Sequence, residues 1–325
     1  MTSLLRKISL QLLLALFALL VVELGVRLFM PEIKTTTTDS VLFTDDLETG
    51  TRKLSPGAVG NSRGYTFEVD GHGFWKYSSP SPDAAERVLL IGDSVTMGIG
   101  VPPDSTVGGR LAEKVKVYNP SAIGFDSNNY RIIIDRLIDS IDDDGPPPFD
   151  RVVILWCLND IYESEVRLGM GYGGFLSRAM SVVRRNYMTY HWLKAIAMDR
   201  PKVYYEHDRQ YYVNTNEVPI PIQRLERIST SLSEHDIEHD IVVVPYEYQL
   251  RINDRTPQEI FIAQASETIN NIHDPFDVFL AQPDSRSLYL FGDGIHLSSH
   301  GHKLLASYID ATILRQPAKD TGTRN

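Results

Sequence analysis

Apolar and polar positions divide the chain into three textures. The first is an apolar run from Ile8 to Val22, interrupted by Glu23 and Arg27 and completed by Leu28-Phe29-Met30 before Pro31. As a helix, residues 8–30 would rise about 34 Å, enough to cross a hydrocarbon core. Glu23 and Arg27 are four apart and can pair on one helix face. The second texture, residues 31–84, holds short strand-like pieces such as Tyr65 to Val69. Pro56-Gly57, Gly60, Gly64 and Gly71-His72-Gly73 punctuate it, and Pro80 and Pro82 close it. It reads as an irregular segment that packs on the main body without a core of its own. Thr35 to Thr38 reads as a polar spacer at its start.

The third texture begins at Arg87 and alternates short apolar runs with helical spacing. Val88–Ile91, Val115–Tyr118, Arg151–Cys157, Ile241–Val244 and Leu288–Phe291 read as strands. Val88–Ile91 is apolar throughout rather than alternating, and Arg151–Cys157 is buried by composition, which suits strands covered on both faces. Helices are expected over 107–114, 127–141, 175–197, 222–233 and 257–273. A last helix to about Leu314 is capped by Ser298 or Ser299. Strand, helix, strand in this order predicts an α/β fold with a parallel sheet and right-handed crossovers. Tyr204, Tyr205, Tyr211 and Tyr212 read as ordinary packing aromatics, with a sugar-stacking platform as the alternative.

Composition narrows the class. The chain has 325 residues, 42% of them hydrophobic, which suits one globular body. The formal net charge is −10, and no basic cluster provides the cationic footprint that nucleic acid requires. One cysteine, Cys157, excludes an intramolecular disulfide and a multi-cysteine zinc site. Arg6 and Lys7 precede the apolar run, so the amino terminus is expected in the cytoplasm and the body on the exported face. The boundaries expected are a cytoplasmic terminus (1–7), a transmembrane signal anchor (8–30), a juxtamembrane segment (31–84), the main α/β domain (85–316) and a polar tail (317–325). A cleaved signal peptide or a buried helix are the alternatives to the anchor.

Candidate chemistry gathers at strand ends. Gly92-Asp93-Ser94 breaks the first strand, and open α/β sheets place ligands at the carboxyl ends of their strands. Ser94 can be a nucleophile or simply a turn residue that caps the next segment. Gly124 follows the second strand, Asn159 the third, and Asp293 with His296 the expected fifth. A serine hydroxyl needs a neighbouring base, which His296 can supply, and an orienting carboxylate, which Asp293 can supply three residues away. The backbone N–H groups of Ser94 and Gly124 and the side-chain amide of Asn159 can form an oxyanion hole.

Three other motifs compete and are set aside. Gly60-Asn61-Ser62-Arg63-Gly64 has the letters of a nucleophile elbow but lacks the strand before and the helix after it. His235-Asp236-Ile237-Glu238-His239 matches H-x-x-E-H, yet lies in a polar stretch before a strand and reads as a solvated helix end. Asp142-Asp143-Asp144 reads as a solvated turn rather than a calcium loop. No cofactor or metal is expected.

Gly92-Asp93-Ser94 with Gly98, then Gly124, then Asn159-Asp160, then Asp293-x-x-His296 resembles the four blocks of the SGNH, or GDSL, hydrolase superfamily. The resemblance spans about residues 85–315. It implies a flavodoxin-like three-layer α/β/α fold and serine ester hydrolysis or acyl transfer without metal. Cys157 stands where the family usually has glycine, which bears on the shape of the nearby pocket wall. The expected activity is an O-acyl esterase acting on an acylated envelope or extracellular carbohydrate. An O-acetyltransferase with a membrane-bound acyl donor partner, or a non-catalytic component of a polysaccharide export complex, are the alternatives.

Overall fold

A computed structural model describes residues 2–34, 37–46, 51–78, 86–140, 149–161, 175–214, 219–266 and 269–315. Helix α1 (Thr2–Phe29) is followed by two antiparallel hairpins, β1 (Phe43–Asp46) with β2 (Thr51–Leu54) and β3 (Val59–Ser62) with β4 (Tyr65–Glu68). The body then runs β5 (Arg87–Gly92), α2 (Ser94–Met97), α3 (Val107–Leu111), β6 (Lys116–Tyr118), α4 (Ser127–Asp139) and β7 (Arg151–Cys157). It continues through α5 (Phe175–Asn186), α6 (Met188–Ala197), α7 (Arg200–Val213), α8 (Ile220–Glu234) and β8 (Glu238–Val244). It ends with α9 (Glu247–Ile252), α10 (Thr256–Ala265), β9 (Ile272–His273), α11 (Phe276–Leu280) and α12 (Ser299–Ile309).

The central sheet has five strands in the order β6-β5-β7-β8-β9, every pair parallel. In chain order this is 2-1-3-4-5, the flavodoxin-like arrangement, whose switch point lies beside the first strand. All seven residues of β7 are buried. Val152, Ile154 and Trp156 join the core on one face with Tyr130, Ile134, Leu225 and Phe261. Val153, Leu155 and Cys157 join the core on the other with Val107, Leu111, Phe279, Leu305 and Ile309. Helices therefore cover both faces, and the central strands β5 and β7 carry no polar alternation because neither face meets water there.

The segment before the body has no core of its own. Leu42, Leu54, Phe67 and Trp75 belong to the same cluster as Leu89 and Ile91 of β5. Thr38, expected in a spacer, forms an antiparallel bridge with Ser62 instead.

The fifth strand is β9, and the expectation of a strand over Leu288–Phe291 is corrected. The helix expected to run to His273 stops at Ala265, and Ile272–His273 pairs with Ile241–Val242. Two residues are too few to leave a periodic signal. Asp284 instead caps a 3-10 turn over Ser285–Leu288, and Tyr289 makes a lone antiparallel bridge to Leu297. The helix expected over 175–197 is also two helices. Tyr187 is extended, and the Glu23 carboxylate of α1 accepts from Met188 N at 3.0 Å and Thr189 N at 2.9 Å, so α6 starts anew there. Arg27 pairs with Glu23 at 2.7 Å and donates to the Asn186 carbonyl.

Two of the four tyrosines of α7 are core residues: Tyr205 and Tyr212, seven apart and so on one helix face, are buried, whereas Tyr204 is half-buried and Tyr211 exposed. The H-x-x-E-H stretch straddles a helix end and β8. Glu238 and Asp240 pair with Arg151, and His239 with Ser229. Asp142 to Asp144 lie outside the described residues.

Residues 6–29 form one helix long and apolar enough to cross a membrane, with 11% of its most apolar window buried.

Candidate active site

Strand β5 ends at Gly92, where a Cβ would lie 2.0 Å from Thr96 Oγ1 and 2.8 Å from Leu155 O. Only glycine lets the chain turn this tightly out of the sheet. Asp93 then caps α2, its Oδ1 accepting from Val95 N at 2.8 Å. Ser94 is the first residue of that short helix and is 8% exposed. Gly98 closes the turn with φ +78°. The sequence thus makes a strand, a glycine, a cap and a serine, with the serine raised at the sheet edge.

Ser94 Oγ lies 2.9 Å from His296 Nε2, and His296 Nδ1 lies 2.7 Å from Asp293 Oδ1. A carboxylate only accepts, so the Nδ1 hydrogen points to Asp293 and Nε2 keeps its lone pair for the Ser94 hydroxyl. Asp293 Oδ1 also accepts the backbone N–H of His296 at 3.1 Å. Burial alone would push the Asp293 carboxyl up, but His296 and Arg63 hold it well below the ordinary carboxylate range. Asp293 is therefore ionised, which is the orienting anion that the base needs.

Asn159 stands in the 3-10 turn Leu158–Ile161 after β7. Asp160 shapes that turn by accepting the Cys157 N–H at 2.9 Å. Burial, then the nearby Asp93, push the Asp160 carboxyl well above its ordinary range. The Asn159 amide is held at both ends. Its Nδ2 donates to Asp93 Oδ2 at 3.2 Å, and its Oδ1 accepts from the Tyr246 hydroxyl at 3.0 Å. An amide nitrogen carries two hydrogens, so the second remains for a substrate oxygen. Gly124 has φ +80° in the loop between β6 and α4, on the same sheet edge.

The structure therefore brings Ser94, His296 and Asp293 into one hydrogen-bonded line and sets Asn159 beside Asp93. It reaches this by a different route from the expected one, because no sheet strand precedes Asp293. The loop 289–297 is closed by Leu290 N to His296 O at 2.9 Å and by Ser298 N to Leu288 O at 2.9 Å. Its glycines allow close packing: a Cβ on Gly292 would lie 2.4 Å from Ala195 Cβ, and one on Gly294 2.5 Å from Pro201 Cβ. Helices α6 and α7 thus position the loop. Ser62 is not a nucleophile elbow: it is buried at the end of β3 and bonded to Thr38 Oγ1. Cys157 is 1% exposed inside the core, so it does not form a pocket wall, and burial pushes its thiol well above the ordinary range.

Sequence reasoning missed three contributors. Arg63 pairs with Asp293 Oδ2 at 3.2 Å. Tyr246 orients Asn159, and its hydroxyl also lies 2.8 Å from Asp208 Oδ2. Tyr246 follows the end of β8 by two residues, as Asn159 follows β7, so its place at the strand end was a usable signal; Arg63 on a hairpin turn and Asp208 on α7 are joined to the site only by three-dimensional packing. Among the described residues no group of three His, Cys, Asp or Glu is placed to hold a metal ion.

No family model matches the chain, and no curated protein matches it. Among solved structures it is similar to a member of the lipolytic protein G-D-S-L family from Veillonella parvula, at 14% identity and TM-score 0.43, over 71% of this chain and 100% of that chain. It is similar to a lipase/acylhydrolase from Enterococcus faecalis at 17% identity and TM-score 0.39, over 72% of this chain and 100% of that one. A catalytic mutant of an acetylxylan esterase from Geobacillus stearothermophilus is similar at 16% identity and TM-score 0.40, over 70% of this chain and 94% of that one.

Proposed function

We propose that the chain is an SGNH/GDSL-type serine esterase that removes O-acyl groups, O-acetyl foremost, from an envelope or extracellular carbohydrate. One observation carries this reading: the unbroken line Ser94–His296–Asp293 at 2.9 and 2.7 Å, with the Asn159 amide beside Asp93. Ser94 Oγ attacks the ester carbonyl carbon while its proton passes to His296 Nε2. The carbonyl electron pair moves onto oxygen, which the N–H groups of Ser94 and Gly124 and the Asn159 amide receive. Collapse breaks the bond to the sugar oxygen, which takes the proton back from His296. Water, deprotonated by His296, then cleaves the acyl-enzyme and releases the acid and Ser94. Asp293 stays ionised throughout and steadies the imidazolium.

The apolar helix α1 supports a single-pass anchor, and Arg6 and Lys7 before it support an exported body. A body so placed meets acylated glycans. The test is a fluorophosphonate serine label on the full chain, with and without Ser94→Ala, followed by p-nitrophenyl acetate turnover. Labelling of the wild type alone is expected, and Ser94→Ala lowers turnover by at least about 10⁴-fold. A folded wild type that takes no label overturns the enzyme reading. Labelling with turnover only when a sugar acceptor is added replaces the hydrolase by the transferase. For the anchor, a reporter fused after Asn325 should be active on the exported side and silent in the cytoplasm.

A further inference from the structure

Asp293 is a buried carboxylate with two oxygens to satisfy. His296 Nδ1 and two backbone N–H groups take Oδ1. Oδ2 faces Arg63 Nη1 at 3.2 Å, and the two side chains are 15% and 7% exposed. Arg63 comes from the tip of the β3–β4 hairpin, outside the α/β body. Ser62 pairs with Tyr65, so Arg63-Gly64 is a two-residue turn, with φ +49° and +92°. A turn of this kind favours Asn-Gly, and an arginine in left-handed backbone is strained. The structure retains it where its side chain reaches a buried carboxylate. The stem passes beside Gly100, where a Cβ would lie 3.4 Å from Arg63 Cδ and 2.6 Å from Leu290 Cδ1. The hairpin itself is pinned, with Arg63 N donating to Thr37 O at 2.8 Å and Gly64 N to Asn61 Oδ1 at 2.9 Å.

We propose that Arg63 is a positioning residue of the ester-cleaving site, clamping the second oxygen of Asp293 so that the first stays aimed at His296. This rests on the esterase reading and deepens it: the segment before the body is part of the catalytic unit. The charged groups around the pair come from every neighbouring element. Glu32 and Lys34 precede the hairpin, His191 lies on α6 and Arg200 on α7, and all share a small cleft with Arg63 and Asp293. Asp93 stands beyond Ser94, and His302 and Arg110 lie beneath His296. Burial, then Arg200, Arg63 and Lys194, push His191 down, so it adds no charge near neutral pH. Arg63 is the cation in contact with the carboxylate. It weakens the pull of Asp293 on an imidazolium, so its removal should make His296 easier to protonate.

The full chain in detergent is compared with Arg63→Gln and Arg63→Lys by kcat/KM against pH and by NMR titration of the His296 ring. Active sites are counted with the fluorophosphonate. Arg63→Gln should move the acidic limb of kcat/KM and the His296 titration upward, and lower kcat/KM near pH 6 by about three- to tenfold. Arg63→Lys should restore the limb by charge, while kcat stays low because a point charge does not hold the carboxylate in plane. Variants that lose stability but keep both the limb and the turnover per active site reduce Arg63 to a structural clasp. A shifted His296 titration in a protein without esterase activity would keep the clamp and overturn the esterase reading instead.

Discussion

Ser94 and Asn159 stand at the ends of adjacent sheet strands, whereas Asp293 and His296 hang from a loop with no sheet strand beneath it. The first half inherits its geometry from backbone pairing. Strands β5 and β7 are in register from Val88–Arg151 to Gly92–Leu155, which fixes where each strand ends relative to the other. The chain leaves β5 for β6 on one side and returns to β7 on the other, so the crevice opens between these two ends. The second half inherits its geometry from side-chain contact: Gly292 on Ala195, Gly294 on Pro201, Arg63 on Asp293. A sheet edge is set by many parallel hydrogen bonds, so a single substitution hardly moves it. A loop clamped by a few close contacts responds to each of them. The two halves should therefore fail differently: the sheet half by loss of a chemical group, the loop half by displacement.

The sharpest test of the sheet half is Asn159→Ala. It removes one oxyanion donor while Asp93, Ser94 and the strands remain, and the expected loss is about 10²–10³-fold in kcat with little change in KM. Steady-state kinetics on p-nitrophenyl acetate measure it. A loss below about tenfold would mean that the Ser94 and Gly124 backbone groups hold the oxyanion without help, and that Asn159 serves Asp93 instead.

The loop half is probed by Gly294→Ala, with Gly57→Ala as its control. Both glycines have positive φ, +83° and +75°, so both substitutions strain the backbone by about 1–3 kcal/mol. At Gly57 the added Cβ meets nothing within 4 Å, whereas at Gly294 it meets Pro201 Cβ at 2.5 Å. The control should lose stability alone. Gly294→Ala should also lose about tenfold in kcat/KM, because the loop that carries Asp293 and His296 must shift away from α7. Denaturant midpoints and kinetics on the same preparations separate the two effects. Equal activity in both variants would show that Pro201 does not set the loop.

These two halves also differ in what a reader of the sequence can see. The β5 and β7 runs are apolar on both faces and end in Gly-Asp-Ser and Asn-Asp, so strand, turn and candidate group are all local signals. The fifth strand was not visible, because Ile272–His273 is two residues long and is recruited by β8 rather than by its own pattern. Leu288–Phe291 carries a strand-like composition, yet the Asp284 cap turns its start into a 3-10 turn. Asp293-x-x-His296 was legible as a pair because three residues are enough to bring the two side chains together. Arg63 was not, since 230 residues separate it from Asp293 and its letters belong to a false elbow motif. The break at Tyr187 was equally hidden: it depends on Glu23, 165 residues before Met188, accepting the first N–H groups of α6. Local chemistry is written in adjacent residues, and long-range clamps are not.

The frame beneath both halves hardly touches the rate near neutral pH; its effect is on stability in acid. His302 on α12 is 1% exposed and accepts the Val107 N–H on Nδ1 at 3.3 Å, under the Gly98 turn that closes α2. Burial, then Arg110, then His296 push its pKa down to about 3. In the unfolded chain it titrates near about 6.5. Between these values the unfolded chain binds a proton that the native one refuses, so native stability falls as pH drops from about 6.5 towards 3, by up to about 1.4 kcal/mol per unit, and levels off below. Above about 6.5 the residue contributes no pH dependence. His302→Gln keeps an acceptor for Val107 but does not titrate. Its denaturation midpoint should therefore fall less steeply with acid than that of the wild type, while kcat/KM at pH 8 stays within about threefold. Parallel stability curves for the two proteins would show that His302 takes up its proton in the native fold as readily as in the unfolded chain, and that its burial does not make the frame acid-sensitive.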